Sequence, residues 1–443
     1  MKVLVLGGGA REHAICMAVS QSRQGELFSL MSNRNPGIER ISKDVCISKE
    51  TDKNAVMTYA ESRDIDVVLI GPEAPLQEGI TDALIQQGIM VCAPTKKAAR
   101  IETDKEWMRN LLSSHDIKGQ LINKCFTNRE KAMGFIEELH GNVAIKPIGL
   151  TGGKGVRVSD DHFTTLDEAE IYVREVLEQK VGGQAKVLIE EKAIGEEFTL
   201  QAFSDGTSIL PMPLVQDHKR LQPDDKGPNT GGMGSYSSKN GLLPFVSKSD
   251  YEHAAVVLQD IVEALQAESC AYIGPIYGQF MLTVDGPKII EINARFGDPE
   301  AMNVLPLINN DYIDLCSSML NKTLHQQKLD LKKVATVCKY IVPEGYGVKS
   351  MSGARIDVDE RVVGQSGSLL FYASVNKEDH HVTTTSSRSL AIVGHGDTIY
   401  DAEQRCEAGL KGISSSHIFI RHDIGTKQLI DKRIAHMKKI RGL

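Results

Sequence analysis

Three side chains near residue 290 carry the oxygen ligands that a hard metal cation prefers. Glu291 and Asn293 interrupt an otherwise apolar strand, and Gln279 lies on the strand before it. Carboxylate and amide oxygens on one face of a sheet suit Mg²⁺ that is held jointly with phosphates. Polar residues on the outer face of a strand are commonly only solvated, but this strand leads directly into Arg295 and Asp298, a composition that is not typical of a core. The pattern therefore favours a cation site.

The register of this hairpin decides whether the three side chains can meet. A three-residue loop pairs Val284 with Lys288 and places Gln279 opposite Asn293, so that all the ligands share one face. A two-residue turn would leave Gln279 on the opposite face. Because Pro287 cannot donate a hydrogen bond to the ladder, we expect the longer loop.

A loop rich in glycine and lysine could bind phosphate. The strand 143–147 ends at Lys146-Pro147, and residues 149–155 follow with the sequence GLTGGKG. Glycine lets backbone N–H groups approach an anion closely, and the lysines add positive charge. The spacing is not that of a P-loop, and an ordinary surface turn is an equally good interpretation. Further on, the acidic residues of 190–197 are either a solvated turn or a site for an adenine amino group and a ribose.

The segment 216–236 is the least regular in the chain. A basic cluster, Asp217-His218-Lys219-Arg220, precedes the glycine-rich stretch 227–234. We expect a long irregular loop rather than a helix or an ordinary strand, and such loops within compact domains are usually functional or disordered. Its cations and exposed glycine amides suit an anionic substrate.

The elements around these residues begin with a parallel sheet. Short apolar runs alternate with helical stretches over residues 1–100, which indicates βαβ units covered on both faces. Ligands of such sheets bind at the carboxyl ends of the strands, where glycine-rich turns occur at 7–9 and 71–75. A dinucleotide site is not supported, because Glu12 stands where the third glycine of the fingerprint is required.

The last part of the chain, from about residue 333, predicts a small α+β domain with no catalytic cluster of its own. His380-His381 could be a metal pair by residue type, but without further ligands nearby an exposed loop is the better interpretation. Tyr400–Gly409 is the single helix expected there, and a longer amphipathic helix is expected earlier, at 251–268. The strands of the end domain are expected at 334–342, 368–375, 389–393 and 418–420.

Composition limits the class of protein. The chain has 443 residues, enough for about three domains, and a net charge of −7 that argues against a nucleic-acid partner. No stretch approaches the ~20 apolar residues that span a bilayer, so we expect no membrane association. Eight cysteines without a C-x-x-C pair fit reduced thiols in the cytoplasm.

Taken together, these segments resemble the ATP-grasp ligases, and within them the phosphoribosylamine–glycine ligase family. The resemblance covers essentially the whole chain and is most specific in GPNTGGMG and EINARFGDPE. It implies an α/β and α+β multidomain fold: a parallel α/β domain at 1–102, an ATP-grasp domain at 103–325 with a flexible lid at about 122–192, and an α+β domain at 326–443. The segments that carry the resemblance are residues 7–14, 71–76, 217–220, 227–234 and 291–300.

The family also implies roles for individual residues. ATP phosphates would contact Lys105 and Lys146 under a closing loop, adenine and ribose would bind the acidic segment, and Arg295 and Asp298 would face the transferring phosphoryl group and the glycine amino group. The residues implied for ATP are Lys105, Lys146, Gly152, Gly153, Lys154, Gly155, Glu190, Glu191, Ile194 and Glu197. Those implied for phosphoribosylamine are Gly8, Gly9, Gly71, Glu73, Pro75, Leu76, Asp217, Lys219, Arg220, Thr230, Gly231, Gly232, Met233 and Gly234. Those implied for Mg²⁺ or Mn²⁺ are Gln279, Glu291 and Asn293.

The reaction that the resemblance implies is the ATP-dependent joining of glycine to 5-phosphoribosylamine through glycyl phosphate, in purine biosynthesis, by a monomer or homodimer. The catalytic residues would be Arg295, Asp298 and Lys146. The chain departs from the family pattern at Ala10, at Arg109 and in the loop 150–153, which affects individual phosphate contacts. Two rivals are another ATP-grasp enzyme, such as a carboxylase, and a nucleotide-binding regulator that does not turn ATP over.

Overall fold

The N-terminal part of the chain is a five-stranded parallel sheet with helices on both sides. The computed structural model describes residues 1–151, 155–379 and 381–442. The strand order is β3-β2-β1-β4-β5, and every pairing is parallel, which confirms the predicted βαβ units. The elements are β1 (Lys2–Leu6), α1 (Ala10–Ser20), β2 (Glu26–Met31), α2 (Pro36–Ile41), β3 (Asp44–Ile47), α3 (Lys53–Ser62), β4 (Val67–Ile70), α4 (Glu73–Glu78), α5 (Ile80–Gln86) and β5 (Met90–Val91).

An antiparallel sheet of order β6-β9-β7-β8 follows, and it has an apolar core of its own with α8 and α9. This separate core makes the unit compact in its own right. The predicted phosphate-loop residues Gly152, Gly153 and Lys154 lie outside the described residues. The elements are α6 (Arg100–Thr103), α7 (Lys105–Ser114), β6 (Asn123–Phe126), α8 (Arg129–Glu138), β7 (Val143–Pro147), β8 (Arg157–Val158), α9 (Leu166–Gln179) and β9 (Val187–Glu191).

The central sheet has the order β11-β10-β16-β17 and is antiparallel. Helix α10 packs its apolar stripe on this sheet and begins three residues earlier than predicted, because Ser247 and Asp250 form a capping box at its N-terminus. The elements are β10 (Glu196–Asp205), β11 (Ile209–Pro211), β12 (Gln216–Asp217), β13 (Arg220–Gln222), β14 (Lys226–Asn229), β15 (Gly234–Ser237), α10 (Lys248–Ala267), β16 (Ile273–Thr283), β17 (Gly286–Asn293), α11 (Glu300–Val304) and α12 (Tyr312–Leu320).

The predicted hairpin register is wrong, although its consequence holds. Thr283 pairs with Gly286, so the turn has two residues, and Gln279 lies opposite Glu291 rather than Asn293. A β-bulge at Ile290 shifts the register by one residue. This extra residue returns Gln279 to the face that carries Glu291 and Asn293, so the three oxygen ligands do share one face.

The segment 216–236 is also more regular than predicted. Strands β13 and β14 form a small two-stranded ladder, while β12 and β15 extend the sheet of the C-terminal part of the chain. The pairing of Ser235 with Cys338 anchors this segment to a strand about one hundred residues further along the chain. Local sequence could not indicate that pairing, because the partner strand is so distant.

The C-terminal part is the predicted α+β unit, with two helices more than the single one expected. Its larger sheet has the order β12-β15-β18-β23-β20, with β25 beside β18, and a smaller one has the order β21-β22-β19-β24. The elements are β18 (Ala335–Pro343), β19 (Arg355–Val358), α13 (Glu360–Gln365), β20 (Leu369–Tyr372), β21 (Val375–Glu378), β22 (His381–Thr384), β23 (Leu390–Gly396), α14 (Ile399–Leu410), β24 (Ile413–Ser414), β25 (Ile418–Ile420) and α15 (Lys427–Arg441).

Helix α15 is attached by charge pairs as well as by the buried side chains Ile430 and Met437, and its many charged residues obscure this apolar stripe in the sequence. Arg433 lies 2.9 Å from Glu196 at the start of β10, and Arg441 lies 2.7 Å from Asp250 of α10. His381 pairs with Glu378 at 3.5 Å, and His380 lies outside the described residues. Within the described ranges, no group of three or more His, Cys, Asp or Glu side chains could hold a metal ion, and no helix has the length and apolarity to cross a membrane.

Candidate functional site

A cavity of about 800 Å³ opens where the parallel sheet, the two antiparallel sheets and the C-terminal part meet. Fifteen of the residues that the sequence nominated line it, which brings together positions from residue 73 to residue 298. Those residues are Glu73, Lys146, Glu190, Glu191, Glu197, Asp217, Lys219, Arg220, Thr230, Gly231, Gln279, Glu291, Asn293, Arg295 and Asp298.

The three predicted metal ligands form one face of the cavity, and a lysine reaches into them. Lys219 Nζ donates to Gln279 Oε1 at 2.5 Å and lies 3.7 Å from Glu291 Oε1. Asn293 Nδ2 lies 3.5 Å from the same Glu291 oxygen. This ammonium group already neutralises the negative charge of the face. An oxygen donor set of this kind, with an ionised carboxylate, fits a hard divalent cation.

The charge state of Glu291 follows from the cations around it. Burial opposes ionisation of Glu291, but the positive charges of Lys219, Lys146 and Lys105 outweigh it and lower the pKa to about 2. Burial likewise opposes the charge on Lys219, and nearby carboxylates, with Glu291 foremost, raise the pKa of that lysine above its ordinary value. Both groups are therefore charged at neutral pH.

Arg295 is held over the cavity by two carboxylates from the N-terminal side. Its Nη2 lies 2.9 Å from Glu102, and its Nε lies 3.3 Å from Glu73. Burial raises the pKa of Glu102 to about 7 despite the opposing charge of Arg295. Burial also disfavours the Glu73 anion, yet Arg295 and Arg11 lower the pKa of Glu73 to about 2. The guanidinium is fixed in direction by these contacts.

Lys146, which the resemblance implied for the ATP phosphates, is part of a buried ion triad. Glu190 is completely buried, and its carboxylate lies 2.6 Å from Arg109 Nε and 2.6 Å from Lys146 Nζ. Both oxygens of Glu190 are thus engaged by cations, which differs from the direct adenine contact that the resemblance implied. Lys105 Nζ donates to the carbonyl of Gly149 at 3.0 Å and does not line the cavity.

The other residues implied for adenine and ribose make fewer contacts with one another than the ion triad does. Glu191 accepts a hydrogen bond from Ile122 N at 2.9 Å, and Glu197 accepts one from Gln279 Nε2. Ile194 is 63% exposed. Gly155 lies behind the wall, where its carbonyl accepts from Tyr172 Oη. Glu191 and Glu197 line the cavity, whereas Ile194 and Gly155 do not.

At the opposite end two carboxylates approach each other. Glu300 accepts from Tyr277 Oη at 2.9 Å, and Asp217 accepts from the backbone N–H of His218 at 2.7 Å. Burial, reinforced by the charge of Glu300, raises the pKa of Asp217 well above its usual range, and burial likewise raises the pKa of Glu300. A shared proton is favoured when like charges are buried together.

Among the residues predicted in the turns at 7–9 and 71–76, Glu73 lines the cavity, whereas Gly8, Gly9 and Gly71 do not. Glu12 organises the N-terminal turn: its carboxylate accepts from Gly9 N at 2.7 Å, and a Cβ on Gly71 would lie 2.0 Å from it. Gly8 is fixed through its carbonyl, which accepts from Asn35 at 3.0 Å. The remaining nominated residues are buried behind the wall, and they are Pro75, Leu76, Gly232, Met233 and Gly234.

Sequence reasoning missed several residues that shape the cavity. Glu102 lies in a short helix, Tyr277 in an apolar strand, and Arg388 just before another strand, so nothing in their local pattern distinguishes them. Arg388 pairs with Asp298 at 3.0 Å across 90 residues of chain. Glu300 did carry a sequence signal, because it ends the polar segment that begins at Arg295.

Models of one protein family match most of the chain. The phosphoribosylglycinamide synthetase N domain matches residues 1–102, its ATP-grasp (A) domain matches 103–301, and its C domain matches 336–427. Phosphoribosylamine–glycine ligase of Methanothermobacter thermautotrophicus is 47% identical over 443 residues, with complete coverage of both chains. The protein of that name from Methanocaldococcus jannaschii is 46% identical over 445 residues, again with complete coverage.

Solved structures share the fold. Phosphoribosylamine–glycine ligase of Thermotoga maritima superposes with a TM-score of 0.81 at 23% identity, covering 96% of this chain and 100% of that one. Biotin carboxylase of Campylobacter jejuni, solved with an ATP analogue, superposes with a TM-score of 0.71 at 13% identity, covering 99% and 95%. The arrangement of sheets is therefore shared with both of these solved proteins.

Proposed function

The chain belongs to the phosphoribosylglycinamide synthetase family, and we propose that the cavity described above is where it carries out the family's reaction. The chain joins glycine to 5-phosphoribosylamine with conversion of ATP to ADP and phosphate, a step of purine biosynthesis. One observation supports the assignment to this cavity above the others. Lys146, Lys219 and Arg295 converge there on the oxygen face of Gln279, Glu291 and Asn293.

The first half-reaction activates the glycine carboxylate, which is a poor acyl donor. One carboxylate oxygen attacks the γ-phosphorus of ATP, a P–O bond forms, and the bond to the β-phosphate oxygen breaks to release ADP. Charge accumulates on the transferring phosphoryl oxygens, and fixed cations lower the barrier more than mobile ones can. Arg295, held by Glu73 and Glu102, is such a cation, and Lys146 is a second one.

The second half-reaction forms the amide bond. The amine nitrogen of phosphoribosylamine attacks the carbonyl carbon of glycyl phosphate, the C–O bond to phosphate breaks, and one amine proton is lost as phosphate departs. No covalent intermediate with the protein is needed. The acyl phosphate must be shielded from water, and the unit that carries β6 to β9, with its own core, supports a lid that closes over the cavity.

A divalent cation is part of ATP-grasp catalysis, and Gln279, Glu291 and Asn293 would hold it. It would neutralise charge on the ATP phosphates, and the oxygen donors suit Mg²⁺ and Mn²⁺ equally. Lys219 would yield its contact with Gln279 as the cation binds. These ligand assignments are supported by the shared face and by the low pKa of Glu291.

The remaining assignments follow the same division of the cavity. We assign ATP to the side that carries Lys146, Glu191 and Glu197, and phosphoribosylamine to the side that carries Glu73 and 217–234. The proposed units are residues 1–102, 103–325 with a lid at about 122–192, and 326–443. The separate apolar core supports the lid boundary.

The direct test is release of ADP from purified protein with ATP, Mg²⁺, glycine and freshly generated phosphoribosylamine, each omitted in turn. Release that requires both glycine and the amine is the expected result. ADP release that does not depend on glycine would show that the chain has another ATP-grasp activity, such as that of a carboxylase. Absence of ADP under all conditions would favour a regulator that binds ATP without turnover.

A further inference from the structure

Arg388 belongs to the C-terminal part of the chain and lines the cavity beside Asp298. Its Nη2 lies 3.0 Å from Asp298 Oδ2, and its Nη1 donates to the backbone carbonyl of Asp298 at 2.8 Å. The same Nη1 donates to the carbonyls of Gly231 and Gly232, the second at 3.2 Å. The guanidinium carbon lies 4.5 Å from the centre of the Tyr340 ring. Arg388 therefore joins three segments that are distant in sequence.

The donors of Arg388 are not all used. Within the part of the chain that the structure describes, its hydrogen bonds all start from Nη1, and Nη2 makes the ion pair. No hydrogen bond from Nε or Nη2 is found within the described residues, and in a guanidinium the Nε proton and the Nη2 proton on the same edge point in parallel. That pair of protons is the standard fork for a carboxylate.

Asp298 and Arg388 together are complementary to a zwitterion. An α-amino acid carries its ammonium and its carboxylate on the same carbon, so its binding site needs an anion and a cation side by side. Asp298 and Arg388 meet this requirement, with the ion pair itself holding both groups in position. Tyr340 Oη donates to the other oxygen of Asp298 and fixes that carboxylate further.

The walls beside this pair leave little room for a side chain. A Cβ built on Gly231 would lie 3.4 Å from Arg388 Cζ and 3.3 Å from Tyr346 Oη. A Cβ on Gly232, whose φ is +104°, would lie 2.7 Å from Pro299 Cδ. Backbone of the glycine-rich loop thus packs directly against the ion pair, which suits an amino acid that has no side chain.

We propose that Arg388 binds the carboxylate end of the glycine substrate while Asp298 binds its ammonium, so that the C-terminal part of the chain selects the amino acid. This inference rests on the proposed function, because it assumes that glycine enters this cavity. A purely structural role for Arg388 would instead disturb all substrates alike, since the residue links the loop 227–234 to the segment after β17.

The test compares Arg388→Met, Arg388→Lys and the matched control Arg405→Met. Arg405 lies in the same part of the chain and donates to a backbone carbonyl, that of His395 at 2.8 Å, but it does not line the cavity. We expect Arg388→Met to raise KM for glycine by about 10- to 100-fold, the effect of losing a charge-assisted hydrogen bond. KM for ATP and for phosphoribosylamine should change by less than about twofold, Arg388→Lys should be intermediate, and Arg405→Met should behave as the native chain does.

An unchanged KM for glycine, or an equal rise in all three KM values, would overturn the proposal. A measurement on the native chain avoids any dependence on how the variants fold. Aminomethylphosphonate keeps both charges of glycine and methylamine keeps only the ammonium, so the first should compete with glycine at least about 10-fold more strongly. Equal competition by the two would refute the role of Arg388. If the native chain releases no ADP in response to glycine, the proposed function itself fails, which is a different result.

Discussion

Replacing Glu190 by Gln should destabilise the chain far more than it weakens ATP binding. The Glu190 carboxylate is completely buried and contacts Arg109 and Lys146 at 2.6 Å each, and those two side chains are themselves 2% and 7% exposed. The substitution leaves two buried cations without a counter-charge. Breaking a buried ion pair in this way costs about 3–5 kcal/mol, because the desolvation penalty remains after the attraction is lost.

The assay is chemical or thermal unfolding of the native chain, Glu190→Gln and the neighbouring control Glu191→Gln. Glu191 is partly exposed and accepts one backbone hydrogen bond, from Ile122, so its loss should cost only about 1 kcal/mol. Combining Glu190→Gln with Arg109→Met removes one of the stranded cations and should recover part of the stability. Such recovery would show that the cost lies in uncompensated charge rather than in lost packing.

The pH dependence gives a second check. Burial opposes ionisation of Glu190, but Arg109 and Lys146 hold its pKa below the ordinary value of 4.5. A carboxylate with a depressed pKa stabilises the folded state above its unfolded pKa, and this stabilisation is lost as the pH falls further. The stability difference between the native chain and Glu190→Gln should therefore be full at neutral pH and shrink below about pH 4.5.

One result would contradict the structural role of Glu190. If Glu190→Gln unfolds like the native chain but shows a raised KM for ATP, the carboxylate contacts adenine as the family resemblance implied. The ion triad would then be incidental to stability, and the reasoning from burial would be wrong.

Three other predictions concern the cavity. Glu291→Gln removes the charged ligand and should lower kcat by about 100-fold or more in Mg²⁺ titrations, while the circular dichroism spectrum stays native. Near-native activity of this variant would contradict the metal assignment. Stability of the native chain should fall as the pH rises from about 4.5 to 7, since folded Glu102, with a pKa of about 7, keeps a proton that the unfolded chain has lost. Glu102→Gln should flatten that slope in urea titrations, and an unchanged slope would place the titration elsewhere. Gly232→Ala should cost about 1–2 kcal/mol from its φ of +104° alone, with a further loss of activity from contact with Asp217; unaltered unfolding and kinetics would count against a tightly packed loop.

Much of the fold could be predicted from the sequence because its signals are local. The buried strands of the parallel sheet appear as continuous apolar runs, and the apolar stripe of α10 appears as helical periodicity. Helix α15 was not predicted, since its few buried apolar residues, such as Ile430 and Met437, stand among many charged ones. The pairing of β15 could not be predicted either, because its partner, β18, lies about one hundred residues away.

The candidate site divides in the same way. Residue types alone nominated Glu291, Asn293 and Gln279, and the structure brings them onto one face. The predicted loop length was wrong, and a bulge at Ile290 supplied the compensation. A bulge leaves no local mark in the sequence, because it depends on how two strands and the side chains beneath them fit together.

Sequence by itself therefore determined the class of fold, the chemical character of the cavity and the family to which the chain belongs. Tertiary structure alone decided which charges meet: Glu190 with Arg109 and Lys146, and Arg388 with Asp298. The physical reason is that hydrophobic periodicity depends on residues close together in the sequence. The partner of a buried charge depends instead on which groups are close together in the folded structure. Only the folded chain can bring together groups that stand 81 or 90 residues apart.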